Sequence, residues 1–100
     1  MKLYINSVDR KNIIVSLKKS EKVVDSLTGE NEYGSQVLLP LIEKLVKKNK
    51  LKFSDLKGIE VETGPGSFVG IRVGVSVANA LGFSLGVPVN NKKTEIELHY

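Results

Sequence analysis

Hydrophobic and polar residues alternate along the first third of the chain. Apolar side chains recur at or near every second position in residues 2–8, 13–17 and 22–27, and short polar segments separate these runs. A period of two is typical of strands that bury one face. Because the connections are short, the pattern predicts an antiparallel meander of three strands, followed by a loop over residues 28–34.

Apolar spacing changes from two to three and four after this loop. Leu38, Leu41, Ile42, Leu45 and Val46 follow one helical face, so the pattern predicts a helix over residues 35–48. A serine at its start can cap it, whereas the proline inside it should kink or delay it. A short helical turn at 54–56 and a fourth strand at 58–62 come next.

Two periods compete in the longest apolar stretch. Every second residue from 69 to 77 is β-branched, which is typical of a strand. Small residues, however, recur at a strict spacing of four: Gly66, Gly70, Gly74, Ala78, Gly82 and Gly86. In a helix these residues form a ridge along which another helix can approach closely. We therefore predict a long helix that begins at Ser67, followed by a fifth strand at 87–90.

A meander followed by alternating strands and helices predicts an α+β fold. We expect one domain over residues 1–100, with a mixed five-stranded sheet and two main helices. The fourth and fifth strands should run parallel to the first through right-handed crossovers. The last ten residues fit a strand or a helix equally well.

Residues 64–74, GPGSFVGIRVG, resemble the G-P-G-S-F-T-G-[VIL]-R-[IV]-G signature of the bacterial TsaB (YeaZ) family. Residues 35–42, SQVLLPLI, are similar to the family's H-S-x-x-L-L-P-x-I helix, and residues 53–59 to its L-x-x-L-D-x-I segment. The resemblance covers essentially the whole chain. It implies a ribonuclease H-like fold, that is, one half of an actin-like ATPase.

The sequence departs from the family pattern at several points. Asn6 and Ser7 stand where the family's first strand ends in D-T-S, Val69 replaces the signature threonine, and Gly34 replaces a histidine. The second lobe that normally follows the segment matching residues 86–89 would be absent.

The resemblance implies a non-catalytic role. TsaB pairs with TsaD, which transfers a threonylcarbamoyl group to adenosine in tRNA, and a TsaE-like ATPase is a further partner. The chain is therefore expected to be an accessory subunit without catalytic residues, cofactor or metal, to contact tRNA only indirectly, and to form a homodimer when alone.

Composition and charge are consistent with this class. One hundred residues with 41% hydrophobic content suit a single domain, and the chain has no cysteine. No signal peptide is apparent, so the cytoplasm is the expected location. The net charge is +4, and five lysines cluster after the first helix: Lys44, Lys47, Lys48, Lys50 and Lys52. We interpret them as a solvated surface rather than a nucleic-acid site.

Few residues suggest chemistry of their own. Gly64, Gly66 and Ser67 lack P-loop spacing, so a tight turn is favoured over an anion site there. Glu60 and Glu62 share a strand face but lack a carboxylate partner at Asn6 for a two-metal centre. Arg72 is expected to pair with one of these glutamates or with a partner protein, and His99 is interpreted as a tail residue.

The long helix is too apolar for one sheet to cover, which predicts a partner surface shared with the first helix. We expect the following residues to form it: Leu38, Leu39, Ile42, Gly70, Val73, Gly74, Val77, Ala78 and Leu81. Leucine at position 74 would then block the partner while the monomer stays folded. Two alternatives remain open: a nucleotide-binding remnant of the actin-like fold, and a membrane hairpin over residues 68–89.

Overall fold

The computed structural model describes residues 1–9, 11–30, 34–65 and 68–90. Its elements, in chain order, are β1 (Lys2–Asn6), β2 (Asn12–Lys19), β3 (Lys22–Glu30), α1 (Gly34–Lys48), a 3-10 turn (Phe53–Asp55), β4 (Gly58–Val61) and α2 (Phe68–Leu85). The predicted α+β class and both main helices are confirmed. The loop prediction was wrong at its start, because residues 28–30 continue β3.

The four strands form one mixed sheet in the order β3-β2-β1-β4. β1 pairs antiparallel with β2, with Ile5 opposite Val15, and parallel with β4, with Ile5 opposite Val61. β2 and β3 form the predicted hairpin, and its register shifts between Leu17 and Lys18. The parallel β1–β4 pair requires a crossover, and α1 supplies it.

The predicted fifth strand does not form; within residues 87–90 the structure has one parallel bridge, between Val89 and Ile59. The Ile59 amide donates to Pro88 O at 2.9 Å, and the Asn90 amide donates to Ile59 O at 2.7 Å. At Val61 the Asn90 side chain replaces a backbone partner. Its Oδ1 accepts from the Val61 amide at 2.8 Å, and its Nδ2 donates to Val61 O at 3.0 Å. One asparagine side chain thus continues the ladder where a strand was expected.

Both helices pack on the same face of the sheet. Gly29 of β3 contacts Val37 and Leu41 of α1, while Ser7, just after β1, contacts Gly70 and Gly74 of α2. Side chains alternate across a strand, and the pairing register places Gly29 and Ser7 on one side. The core lies between the helices and this side, and its central residues are fully buried: Leu3, Ile5, Ile13, Val15, Leu17, Leu38, Ile42 and Leu45.

α1 and α2 end in the same backbone geometry. In α2 the Val87 amide donates to Gly82 O at 3.0 Å, and Gly86 has φ +67°. In α1 the Leu51 amide donates to Val46 O at 3.0 Å, and Lys50 has φ +58°. This left-handed ending satisfies carbonyls that lack a partner within the helix. α1 also continues through Pro40, so the expected delay is wrong.

Candidate functional site

α2 faces the sheet with its small residues. Ser7 Oγ donates a 2.6 Å hydrogen bond to Gly70 O, and a Cβ added at Gly74 would overlap Ser7 Oγ and contact Val61 at 3.5 Å. A Cβ at Gly82 would overlap the side chain of Val89. The spacing of four therefore produces a ridge of small residues, as predicted, but at Gly74 and Gly82 this ridge faces the sheet and Val89 rather than the expected second helix.

This orientation divides the predicted partner residues into two groups. Five are buried in the chain's own core: Leu38, Ile42, Gly70, Gly74 and Ala78. In this fold these five present almost no surface to a partner, and leucine at position 74 would disturb the monomer itself. The prediction placed the ridge outward because a small residue has no hydrophobic side chain to indicate which side is buried.

The remaining four residues have accessible surface. Leu39 on α1 is 46% exposed, and Val73, Val77 and Leu81 on α2 are half-buried. The sequence analysis missed Phe83, which is 93% exposed. The signal for it was available, because Phe83 follows Arg72, Ser76 and Asn79 at helical spacing and so continues the polar stripe of α2. We call these five apolar residues, Leu39, Val73, Val77, Leu81 and Phe83, the outer helix surface.

The turn before α2 has the geometry for which glycine is suited. Gly64 has φ +122°, a backbone conformation that residues other than glycine rarely adopt. The Gly64–Pro65 peptide bond is cis. A positive backbone angle is thus present in the turn at Gly64. Gly66 and Ser67, the other residues of the possible anion site, lie outside the described part of the chain, as do residues 91–100 with His99.

A polar network covers the centre of the other sheet face. Glu60 Oε2 lies 3.2 Å from the ammonium of Lys18, which also lies 4.6 Å from the centre of the Tyr4 ring. The Tyr4 hydroxyl donates to Glu62 at 3.3 Å and accepts from Asn6 Nδ2 at 3.2 Å. Burial is the main reason why the pKa of Tyr4 is raised, and the hydrogen bond from Asn6 opposes it. Glu60 and Glu62 share this face as predicted, but both have partners within the chain.

The Asn6 side chain has two such contacts. Its Oδ1 accepts from the Val8 amide at 3.2 Å while its Nδ2 contacts Tyr4. Arg72 is exposed on α2. Within the described ranges, no three acidic, histidine or cysteine side chains come together as metal ligands would.

The membrane alternative requires a helix of about 20 predominantly apolar residues. Neither helix within the described residues is both long and apolar enough to cross a bilayer.

Sequence comparison places the chain among proteins of one tRNA modification. A family profile described as TsaD, tRNA N6-adenosine threonylcarbamoyltransferase, matches residues 31–91. The chain is 29% identical over 94 residues to the tRNA threonylcarbamoyladenosine biosynthesis protein TsaB of Buchnera aphidicola subsp. Acyrthosiphon pisum, covering 83% of this chain and 42% of that protein. It is 32% identical over 84 residues to TsaB of Buchnera aphidicola subsp. Schizaphis graminum, covering 83% and 39%.

The fold gives the same result as the sequence. YeaZ from Pseudomonas aeruginosa superimposes with a TM-score of 0.79 at 26% identity, over 88% of this chain and 41% of that one. The chain belongs to the TsaB (YeaZ) family. The resemblance seen in the signature segment is therefore confirmed, and the TsaD-type profile match agrees with it. The chain spans about two fifths of the length of these relatives.

Proposed function

We propose that this chain is a non-catalytic scaffold subunit in the synthesis of threonylcarbamoyladenosine in tRNA, and that it pairs with a TsaD-like enzyme through the outer helix surface. In this proposal its fold is a ribonuclease H-like half of the actin-like type. The names of the relatives give the pathway. The contact itself is argued from the distribution of exposed apolar side chains.

The observation that carries the proposal is the exposure of large apolar side chains on the helix layer. Phe83 is 93% exposed and Leu39 46% exposed, although both belong to helices whose opposite sides are fully buried in the core. In this proposal the exposed apolar side chains act together as one interaction site, because covering them removes apolar area from water. An aromatic ring with this exposure also suits the centre of an interface.

The polar face of the sheet supports a role without catalysis. Glu60 is held by Lys18, Glu62 by Tyr4, and the Asn6 amide by Tyr4 and Val8. A carboxylate that acts as a general base has to lie within hydrogen-bond reach of the proton that it takes. These side chains instead satisfy one another.

In the absence of the enzyme, two copies of the chain pair through the same surface. A surface of this kind can be complementary to itself across a two-fold axis. The homodimer and the pair with a TsaD-like enzyme therefore compete, and a TsaE-like ATPase adds to the enzyme complex rather than to the homodimer.

The test is a pull-down of the tagged chain with the TsaD-like enzyme of its own organism, and light scattering of the chain alone. Leu39→Asp is expected to weaken both associations at least about tenfold, because it puts a charge into an apolar contact. Ile14→Asp is the matched control, since Ile14 is a 37% exposed aliphatic side chain on the other face of the sheet.

Equal losses in the two variants would contradict the assignment of the surface. A chain that stays monomeric at high concentration would refute self-association. Saturable binding of ATP with magnesium, measured by calorimetry, would instead favour a nucleotide-binding role over a scaffold.

A further inference from the structure

Lysines that are distant in sequence meet at one end of the sheet. Lys19 pairs opposite Lys22 in the β2–β3 hairpin, β1 begins at Lys2, and the Lys57 amide donates to Met1 O at 2.8 Å just before β4. Each strand therefore has a lysine at or next to this end. Neighbouring strands lie about 4.8 Å apart, so the lysines form a row across the sheet.

The end of α1 adds a second layer to this row. Asn49 Nδ2 donates to Asp25 at 2.9 Å, and Lys48 Nζ lies 3.3 Å from the same carboxylate, so the last turn of α1 is fixed to the start of β3. The chain then passes through Lys50 and Lys52 on its way to β4. Two of the lysines that the sequence shows as a cluster after a helix are thereby placed beside the row.

The carboxylates near this end are already engaged. Glu21 lies 3.5 Å from Lys2, Glu60 lies 3.2 Å from Lys18, and Asp55 Oδ2 accepts from the Lys52 amide at 2.8 Å. At this end of the sheet, five exposed lysines have no carboxylate of the described residues within ion-pair distance: Lys19, Lys22, Lys50, Lys52 and Lys57. We call these five residues the basic edge.

We propose that the basic edge binds the sugar-phosphate backbone of RNA. Lysine is depleted in protein–protein interfaces, whereas a group of unpaired ammonium groups is the usual contact for phosphates. The choice of RNA over DNA rests on the proposed function, in which the product is a modified tRNA. Direct contact with RNA goes beyond that function, because the scaffold was expected to contact tRNA only through its partner.

The basic edge and the outer helix surface share no residue. The basic edge lies at the end of the sheet where β1 begins and α1 ends, and the outer helix surface lies along α1 and α2. RNA binding by the chain alone therefore does not require the TsaD-like enzyme. A failure of one proposal leaves the other standing.

The experiment measures binding of an unmodified tRNA transcript to the full chain by fluorescence anisotropy over a series of salt concentrations. Lys19→Gln combined with Lys57→Gln should weaken binding about tenfold at low salt and reduce the slope of log K against log salt by about 2, near one for each phosphate contact. The melting temperature should not change, because both side chains are exposed.

The matched control is Lys11→Glu, which changes the net charge by the same two units. Lys11 is exposed, has no ion pair with a described residue, and lies at the opposite end of β2. Its binding should stay within about twofold of the parent chain and its salt slope should be unchanged. If the edge variant does not fold, Lys22→Gln combined with Lys52→Gln takes its place.

Three results would overturn the inference. Equal weakening by Lys11→Glu would show that overall charge, not the basic edge, determines binding. An absence of tRNA binding by a chain that still captures its protein partner would refute RNA contact alone. Binding of poly-aspartate with an affinity equal to that of tRNA would assign the edge to an acidic protein.

Discussion

α1 and α2 rest on the same sheet face, but they pack in opposite ways. α1 buries large side chains, among them Leu38, Ile42 and Leu45, and its outward side carries glutamate and lysines. α2 turns its glycines toward the sheet and keeps valines and a phenylalanine at its flanks and outside. The backbone of α2 therefore approaches β1 and Val89 far more closely than large side chains would allow.

The two helices differ in whether the most hydrophobic side of the helix is also its buried side. In α1 the hydrophobic side is the buried side, which is the usual relation. In α2 the buried side combines Ile71 and Val75 with small residues, and the apolar flank packs against the core while keeping accessible surface. A helix of the second kind is suited to an assembly, because part of its apolar flank is still available to a partner.

The largest expected effect tests the close approach of α2. Gly74→Ala adds a methyl group against Ser7 Oγ and Val61. In an exposed helix this change would stabilise the protein by about 1 kcal/mol, because alanine is the better helix former. Overpacking costs more than this gain, so we expect a net loss of about 1–2 kcal/mol in the free energy of unfolding. Urea denaturation of the purified chain measures it.

The control is a double-mutant cycle with Ser7→Gly, which removes the hydroxyl that the new methyl group would meet. Gly74→Ala should be substantially less destabilising in that background. Should Gly74→Ala stabilise the parent chain, α2 does not pack on Ser7 as described.

A smaller effect, of opposite sign, is expected where α1 ends. Lys50 occupies the left-handed position that Gly86 occupies in α2. Because a side chain is strained there and glycine is not, Lys50→Gly should stabilise the chain by about 1 kcal/mol in thermal unfolding. Lys52→Gly, two residues further on at φ −110°, should bring no such gain. A lower melting temperature for Lys50→Gly would mean that the lysine side chain makes an unrecognised contribution.

The smallest effect concerns the attachment of α1 to β3. The hydrogen bond from Asn49, followed by that from the Ser26 amide and the charge of Lys48, holds the pKa of Asp25 below its ordinary value of 3.8. A lowered folded-state pKa contributes stability that is present above the ordinary pKa and is lost as the pH falls through the folded value. Asp25→Asn should therefore melt lower than the parent chain near neutral pH, and the gap should close below about pH 4.

Melting curves at several pH values test this dependence. Asp9 is a useful control, because its pKa is also lowered, mainly by backbone hydrogen bonds from Lys11 and Asn12, whereas the end of α1 is attached through Asp25. Asp9→Asn should leave the α1 end intact. A gap between Asp25→Asn and the parent chain that persists at low pH would exclude the ionised carboxylate as its cause.

The sequence predicted the elements whose local and tertiary preferences agree. β1, β2 and α1 have hydrophobic periods that match their burial, and each was placed within a few residues of its observed bounds. α2 needed a second signal, since its alternating valines favoured a strand while its small residues favoured a helix. The helix forms because glycine at every fourth position permits contact with Ser7 and Val89.

The partner residues were harder to predict, for a physical reason. Side-chain size indicates burial where a core is filled by large residues, but it says nothing where the core is filled by the approach of a backbone. Gly74 and Ala78 were therefore assigned to the outside, and Phe83 was not considered. The basic edge could not be predicted from the sequence either, because it depends on the strand pairing that brings Lys19, Lys22 and Lys57 to one end of the sheet.

The side-chain amide of Asn90 affects whether another strand can add to the β4 edge of the sheet. A strand edge with free amides and carbonyls is a template on which another chain can add a strand. Beside β4, the backbone of residues 88–90 satisfies Ile59, and the Asn90 side chain imitates one peptide unit to satisfy Val61. This side-chain pairing cannot continue along β4, since one amide group supplies only a single donor–acceptor pair. Within the described residues Asn90 is thus the last partner of β4, and the backbone groups of Ile59 and Val61 that it and Pro88 satisfy are not open to an added strand.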